Sequence, residues 1–275
     1  MQGSLGEKIG EGGTSDVYAW APGQVVKLFK AGAAQGFGWH EARMTRAVFA
    51  AGGPALEVLG EVRLEGRFGI VLPRLDGPSL LQLWETGAMT SEQAGAILAP
   101  LYISVHRTSP PKDVLCLRDW FGALSRGTGL VPEHIATGVL TLIERLPSHD
   151  VLCHGDLHPG NVIMTAEGPR IIDWSATVCA PPAFDLWRCD INLKELAYAP
   201  EGIDGGPAGA LNATVWSEYE RLAGISPAAL TAAIGPYLPI LRAAALAEGA
   251  LSSSLSVRRE QLIQRLEADL GAEEA

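Results

Sequence analysis

Four cysteines in 275 residues, Cys116, Cys153, Cys179 and Cys189, leave no C-x-x-C pair. That spacing builds neither a zinc knuckle nor a disulfide framework, so free and mostly buried thiols are expected. Basic residues are short as well: 21 Lys and Arg against 31 Asp and Glu give a net charge of −10. A nucleic-acid partner is therefore not expected, because its electrostatic footprint is missing. The same imbalance steers cationic small molecules. Long uncharged apolar runs are lacking too. The nearest approach, "YLPILRAAALAEGALSSSLS", is interrupted by Arg242 and Glu248, so no membrane association is expected. The opening "MQGSLGEKIGEGG" has no basic region followed by an apolar one, which points to a cytoplasmic protein. Nothing in the composition bears on oligomeric state.

What is present suffices for a full core, with 47% hydrophobic and 19% charged residues. The texture changes near residue 76. Before it, "LGEKIG" and "DVYAWA" flank a Gly-rich turn, "APG" leads into "QVVKLFK", and "EVRL-EG-RFGIVL" reads as a hairpin bent at Glu65-Gly66. Between them "HEARMTRAVFAAGG" carries Met44, Val48 and Ala51 at helical spacing. After "RLDGPSL" the pattern is mostly helical. Thr90 and Gln93 make a capping box ahead of the stripe Ala94, Ile97, Leu98, Leu101 and Val105. Pro132 suits the first turn of a helix with the stripe Ile135, Val139, Leu142, Ile143 and Leu146, which Pro147 stops. Later stripes are Leu211, Val215 and Leu222, then Leu255, Leu262, Ile263 and Leu266. The expected fold class is α+β: a small β-rich lobe over residues 1–75 and a larger, mainly helical lobe over residues 76–275. The helical lobe carries an inserted hairpin, "NVIMT-AEGP-RIIDW", and a hinge at Pro73 to Gly77 joins the two.

The densest chemistry lies in "LCHGDLHPGNVIM". His154, Asp156 and His158 alternate as metal ligands on a strand might, but they straddle a Gly and a Pro-Gly, and the chain has no H-E-x-x-H. Phosphoryl transfer is the other reading. It needs an Asp to orient the attacking hydroxyl, an Asn and a second Asp for magnesium, a Lys on the phosphates and a Gly-rich turn over them. "HGDLHPGN" sets Asp156 and Asn161 in the register of H-R-D-L-x-x-x-N, and "IIDW" sets Asp173 beyond a hairpin. Both can offer magnesium hard oxygens. Upstream, "IGEGGTSDVY" places Gly10, Gly12 and Ser15 at G-x-G-x-x-S, with Gly13 between. Lys27 then interrupts an apolar strand, and Glu41 follows on a helix. Taken singly, the glycines fit a plain hairpin, Lys27 an edge-strand solubiliser and Glu41 a solvated helix charge. Their joint order argues for the kinase chemistry.

On these motifs, from about Leu5 to Arg188, the sequence resembles the aminoglycoside phosphotransferase and choline kinase-like family, small-molecule relatives of the protein kinases. "HGDLHPGN", "IIDW" in place of D-F-G, and "PPAFDLW" carry the likeness. The resemblance implies a protein kinase-like bilobal fold and transfer of the γ-phosphate of ATP, with Mg2+, to a hydroxyl of a small molecule. It implies Asp156 as catalytic base and Asn161 and Asp173 as magnesium ligands. Gly10, Gly12, Gly13, Ser15 and Lys27 would hold the phosphates, with Glu41 behind Lys27. The carbonyl of Pro73 and the N–H of Leu75 would meet adenine. Asp185 and His154 would brace the catalytic loop, and His158 would lie near the transferred phosphate. Ser15 replaces the family's third glycine, and Ala180-Pro181 stand where Gly-Asp is usual. The acceptor stays open among aminoglycosides, amino alcohols such as choline, and sugars. Trp174, Trp187, Tyr198, Trp216 and Tyr219 are available for a choline cage or for core packing. Glu195, Asp204, Glu218 and Glu220 could receive amines or form a solvated helix face. Alternatives are a nucleotide-binding pseudokinase, a protein Ser/Thr kinase, for which no A-P-E element follows Asp173, and a zinc hydrolase built on His154 and His158.

Overall fold

A computed structural model describes residues 5–31, 35–148, 150–191, 206–248 and 256–272. Strands β1 (Lys8–Glu11), β2 (Ser15–Ala21) and β3 (Gln24–Phe29) form an antiparallel meander. Helix α1 (Gln35–Ala50) follows, then the hairpin of β4 (Gly60–Leu64) and β5 (Arg67–Pro73). The sheet order is β1-β2-β3-β5-β4. Glu65 and Gly66 both take positive φ, 52° and 77°, as a two-residue hairpin turn matched to strand twist requires. Alternation along β3 puts Lys27 on the face of Val25 and Phe29, and there Phe29, Ala42 of α1 and Ile70 of β5 make a small core. Helix α1 starts five residues ahead of His40, where the sequence pattern placed it. Gly36 and Gly38 are poor helix formers, yet a Cβ on Gly38 would sit 2.6 Å from Phe29 and 2.7 Å from Phe68. Close packing against the sheet selects glycine there over propensity.

The connection after β5 lies against the later hairpin. Gly77 has φ 155°, and a Cβ on it would fall 1.9 Å from the Met164 carbonyl oxygen. Helices α2 (Leu80–Glu85) and α3 (Ser91–His106) each open with a complete capping box, Ser79 with Gln82 and Thr90 with Gln93. The first of these was not anticipated. Next come β6 (Leu115–Cys116), α4 (Leu117–Thr128) and α5 (Glu133–Arg145), with Pro132 as N-cap rather than in the first turn. Then follow β7 (Leu152–Cys153), the hairpin β8 (Val162–Thr165) and β9 (Gly168–Ile171), and β10 (Val178–Cys179). Strands β6, β10 and β7 form a small sheet, β10 being parallel to β6 and antiparallel to β7. Strands of two residues carry no periodicity, so the sequence pattern shows none of them. Helices α6 (Pro182–Ile191), α7 (Pro207–Ala223), α8 (Pro227–Ile234), α9 (Leu238–Glu248) and α10 (Ser256–Ala272) complete the order.

Two cores hold this part together. Leu98, Tyr102, Leu152, Leu157, Leu211 and Val215 belong to one; Phe121, Ile135, Val139, Phe184, Ile240 and Leu266 belong to the other. By length and composition the stretch Ala228–Ala247 could cross a membrane, which corrects the expectation that no segment would qualify. In the fold, Pro236 sits in the 3-10 turn between α8 and α9, and Leu230, Ile234, Tyr237, Ile240 and Leu241 are buried in the cores.

Candidate active site

Lys27, mid-strand in β3, joins two distant carboxylates. Its Nζ lies 2.6 Å from Glu41 Oε1 on α1 and 3.1 Å from Asp173 Oδ2, a residue 146 positions away in sequence. Burial works to discharge Lys27, but Asp173 and Glu41 outweigh it and its pKa rises. Burial likewise works to raise Asp173, and Lys27 with the Ser175 hydroxyl, 2.7 Å from Oδ1, brings it below the usual range. One lysine between two carboxylates leaves negative charge in excess. That excess appears on Glu41, whose carboxyl is pushed up to about 7 by burial and by Asp173 against the pull of Lys27.

The loop from His154 to Asn161 leaves β7 and is held at nearly every peptide. The fully buried Asp185 accepts the N–H of His154 at 2.9 Å and of Gly155 at 2.8 Å, so the brace expected of Asp185 is in place. His106 Nε2 lies 3.2 Å from the same carboxylate, and the Tyr219 hydroxyl lies 2.8 Å from His106 Nδ1. An ionised carboxylate only accepts, so Nε2 carries the proton and Nδ1 accepts from Tyr219. Arg188, one turn after Asp185 on α6, donates Nε to the Gly155 carbonyl, and the Tyr102 hydroxyl donates to the Leu157 carbonyl. Gly155 has φ 79°, and a Cβ there would lie 2.0 Å from the Ala176 carbonyl oxygen. The sequence pattern does not single out His106, Tyr102 or Arg188, and it offers Tyr219 for a cage or for core packing, not for this brace. Of these, Arg188 alone has a sequence cue, its helical spacing from Asp185.

Both histidines of the loop act as local braces. His154 Nδ1 accepts the Asp156 N–H at 3.2 Å, which leaves Nε2–H to donate to the Ile172 carbonyl at 3.1 Å. His158 Nδ1 accepts the Gly160 N–H at 3.1 Å, and its Nε2 stands 3.9 Å from Asp156 Oδ2. Burial lowers the pKa of both, His158 to about 4, so each is neutral near pH 7. Among the described residues neither joins a cluster of metal-ligating side chains, and the zinc reading finds no third ligand. The one such cluster found, His106, Cys153 and Asp185, has its carboxylate committed to backbone N–H groups. Burial, then Asp185, pushes its thiol well above the ordinary range.

Asn161 Nδ2 donates to the Asp156 carbonyl at 2.8 Å and to Oδ2 at 3.3 Å. Its own carbonyl accepts the Ile172 N–H at 3.0 Å, which ties it to the strand end that carries Asp173. Asp173 itself takes the left-handed conformation, φ 64°. Asn161 and Asp173, on elements joined by the Asn161–Ile172 bond, offer an amide and a carboxylate oxygen, the hard donors that magnesium takes.

At the β1–β2 turn, Gly12 N–H meets the Ser15 carbonyl at 2.8 Å and Lys30 Nζ the Gly12 carbonyl at 2.7 Å. A Cβ on Gly13 would meet nothing within 4 Å, and on Gly10 or Gly12 only ordinary contacts at 3.5 Å. Internal packing therefore does not demand glycine at these three positions. Ser15 is buried beneath the turn at the start of β2. Pro73 ends β5 opposite Gln24; the Arg74 N–H goes to the Gly23 carbonyl at 2.9 Å, and the Leu75 N–H donates to no described residue. Of the aromatics available for a cage or for core packing, Trp174 and Tyr219 are buried, and Trp187 and Trp216 pack edge-on to each other, ring centroids 5.9 Å apart, beside the core. Tyr198, Glu195, Asp204 and Leu255 lie outside the described residues. Glu218 pairs with Arg221 along α7.

A family model described as "Phosphotransferase enzyme family" matches residues 6–192. No curated protein matches the sequence. Among solved structures, the fold is similar to a thermostable mutant of aminoglycoside phosphotransferase APH(4)-Ia in ternary complex with ADP and hygromycin B. That match has 17% identity and a TM-score of 0.58 and covers 98% of this chain and 94% of the other. An aminoglycoside-3'-phosphotransferase of type VIII gives 19% identity and a TM-score of 0.56, covering 90% and 93%. A GDP complex of an aminoglycoside 2'-phosphotransferase-IIIa mutant gives 15% and 0.55, covering 99% and 94%. These neighbours share the α+β kinase-like fold, and with the family match over most of its length the chain belongs to the phosphotransferase enzyme family.

Proposed function

We propose that this protein transfers the γ-phosphate of ATP to a hydroxyl of a small molecule. The observation that carries the reading is the Lys27 bridge from Glu41 to Asp173. It sets the cation that would bind the phosphates beside the carboxylate that would hold metal, between residues of 1–75 and of 76–275. The nucleotide would lie there, with adenine against the Pro73 carbonyl and the unengaged Leu75 N–H and its phosphates under residues 10–15. The open space over Gly13 supports that placement. Asn161 and Asp173 would hold magnesium, which when bound screens the phosphate charge.

The remaining work falls to the chain itself. Asp156 would accept the proton of the acceptor hydroxyl and align it for in-line attack, with Asn161 Nδ2 holding the carboxylate in place. Lys27 would stabilise charge on the phosphates, and the neutral His158 would present Nε2–H beside Asp156, next to the transferred group. Catalysis then rests on positioning and charge stabilisation. Neighbours that bind hygromycin B or kanamycin make aminoglycosides the first acceptors to try, with amino alcohols and sugars after them.

The test is magnesium-dependent ATP turnover against pools of aminoglycosides, amino alcohols and sugars, with Asp156→Asn in parallel. Acceptor-dependent turnover that falls by orders of magnitude in the variant, with nucleotide binding intact, is the expected result. An Asp156→Asn protein that turns over as fast as wild type would sink the assignment. ATP binding with no product in any pool would favour a nucleotide-binding regulatory module.

A further inference from the structure

We propose that Cys116 and Cys179 form a dithiol site that closes to an intramolecular disulfide by exchange with a low-molecular-weight disulfide. The two cysteines are far apart in sequence and meet only because β6 pairs in parallel with β10, where they are register partners. Paired residues on neighbouring strands project from the same face, with backbones about 4.8 Å apart. That spacing falls within the Cα separation of roughly 4.4–6.8 Å that a disulfide spans. Both thiols line one cavity of about 410 Å3, whose charged residues are Lys112, Arg118 and Asp150.

Exposure sets an order of events. Cys116 is exposed and Cys179 half-buried, while Cys153 and Cys189 are buried. Arg118 is paired with Glu144, Lys112 and Asp150 are in no ion pair among the described residues, and the Cys116 thiol donates to Asp119 Oδ2 at 3.4 Å, a contact that the approaching small disulfide replaces. The Cys116 thiolate attacks one sulfur of that disulfide, forming a mixed disulfide and releasing the first small thiolate. The Cys179 thiolate then attacks Cys116 Sγ and expels the second. Two protons leave the protein thiols and end on the two small thiols, and the electron pair given up by the protein sulfurs reduces the oxidant. The second step is the slower one to start, because burial, then Asp150 and Cys116, raise the Cys179 pKa. The site adjoins the catalytic loop: β10 also pairs with β7, which runs directly into His154.

The experiment incubates the reduced full chain with oxidised glutathione and follows intact mass, then maps peptides. Wild type is expected to lose two hydrogens, retain no glutathione and yield one cross-linked Cys116–Cys179 peptide. Cys179→Ser is expected to stop at a stable glutathione adduct on Cys116. A wild-type protein that keeps glutathione on Cys116, does not react, or links through Cys153 or Cys189 would overturn the proposal. These readouts are independent of phosphotransferase activity.

Discussion

Asp185 holds Gly155 by its backbone N–H at 2.8 Å, from a carboxylate with no solvent exposure. Arg188, a turn later on the same helix, takes the Gly155 carbonyl, so α6 grips both sides of one residue of the loop that carries Asp156. The loop is thereby positioned by a helix that contributes nothing to the proposed phosphoryl transfer itself. Replacing Asp185 with Asn substitutes an NH2 for an oxygen that now accepts hydrogen bonds. A buried N–H then faces a donor. Hydrogen bonds to charged groups are worth about 1.5–3 kcal/mol each, so Asp185→Asn should lose about 3 kcal/mol in urea unfolding. Turnover should fall at least roughly tenfold, since a loop misplaced by an ångström is costly. Wild-type stability in the variant would show that the brace contributes little.

Two glycines of the site separate packing from ligand approach. At Gly155 a Cβ would lie 2.0 Å from the Ala176 carbonyl oxygen, at φ 79°. Gly155→Ala should therefore destabilise by at least about 2 kcal/mol and abolish most activity. Gly13→Ala meets nothing within 4 Å and should leave stability within about 1 kcal/mol. Under the proposed function it should still weaken nucleotide use, because the added methyl lies where phosphates would approach. Thermal melts and the KM for ATP distinguish the two. Equal melting losses would remove the distinction.

How much of this was legible beforehand follows from the range of each interaction. The strands around Lys27, the Thr90 capping box, the hairpin after Asn161 and the order Lys27, Glu41, Asp156, Asn161, Asp173 all rest on short patterns. The start of α1 was misread because Gly38 answers to Phe29 and Phe68 rather than to helix propensity. The β6-β10-β7 sheet was invisible because two residues make no period. The link of His106 and Tyr219 to Asp185 went unnoticed for a different reason. Their partnership with Asp185 spans three helices, α3, α6 and α7, and leaves no local signature.

Lys27 separates charge from packing when replaced by methionine, which keeps an unbranched stem on the same face as Phe29. Removing one buried partner ordinarily costs about 3–5 kcal/mol because the other charge is stranded. Here the loss should be smaller, since the Glu41 carboxyl already sits at about 7 and can take up a proton. Lys27→Met should fold, while turnover drops on the order of 100-fold through lost charge stabilisation. Circular dichroism with steady-state kinetics checks both halves. A variant that folds and keeps full turnover would remove Lys27 from the phosphate site.

Two displaced groups of the site push pH stability in opposite directions. Glu41 rises from its ordinary 4.5 to about 7, chiefly through burial. The folded protein therefore holds more protons than the unfolded chain between those values, and stability falls as pH rises through that window. His158 drops from 6.5 to about 4, again through burial. The unfolded chain then holds more protons, and stability is lost as pH falls from 6.5 towards 4. Each shift corresponds to about 3 kcal/mol at most, and to less for His158, which keeps some solvent contact. Glu41→Gln should accordingly gain on wild type as pH rises from 4.5 to 7. His158→Asn, which can still accept the Gly160 N–H, should gain as pH falls from 6.5 to 4. Denaturant midpoints for the three proteins at pH 4.5, 6 and 7.5 decide the matter. Variants that track wild type in parallel across that range would show that neither group is displaced as the structure implies.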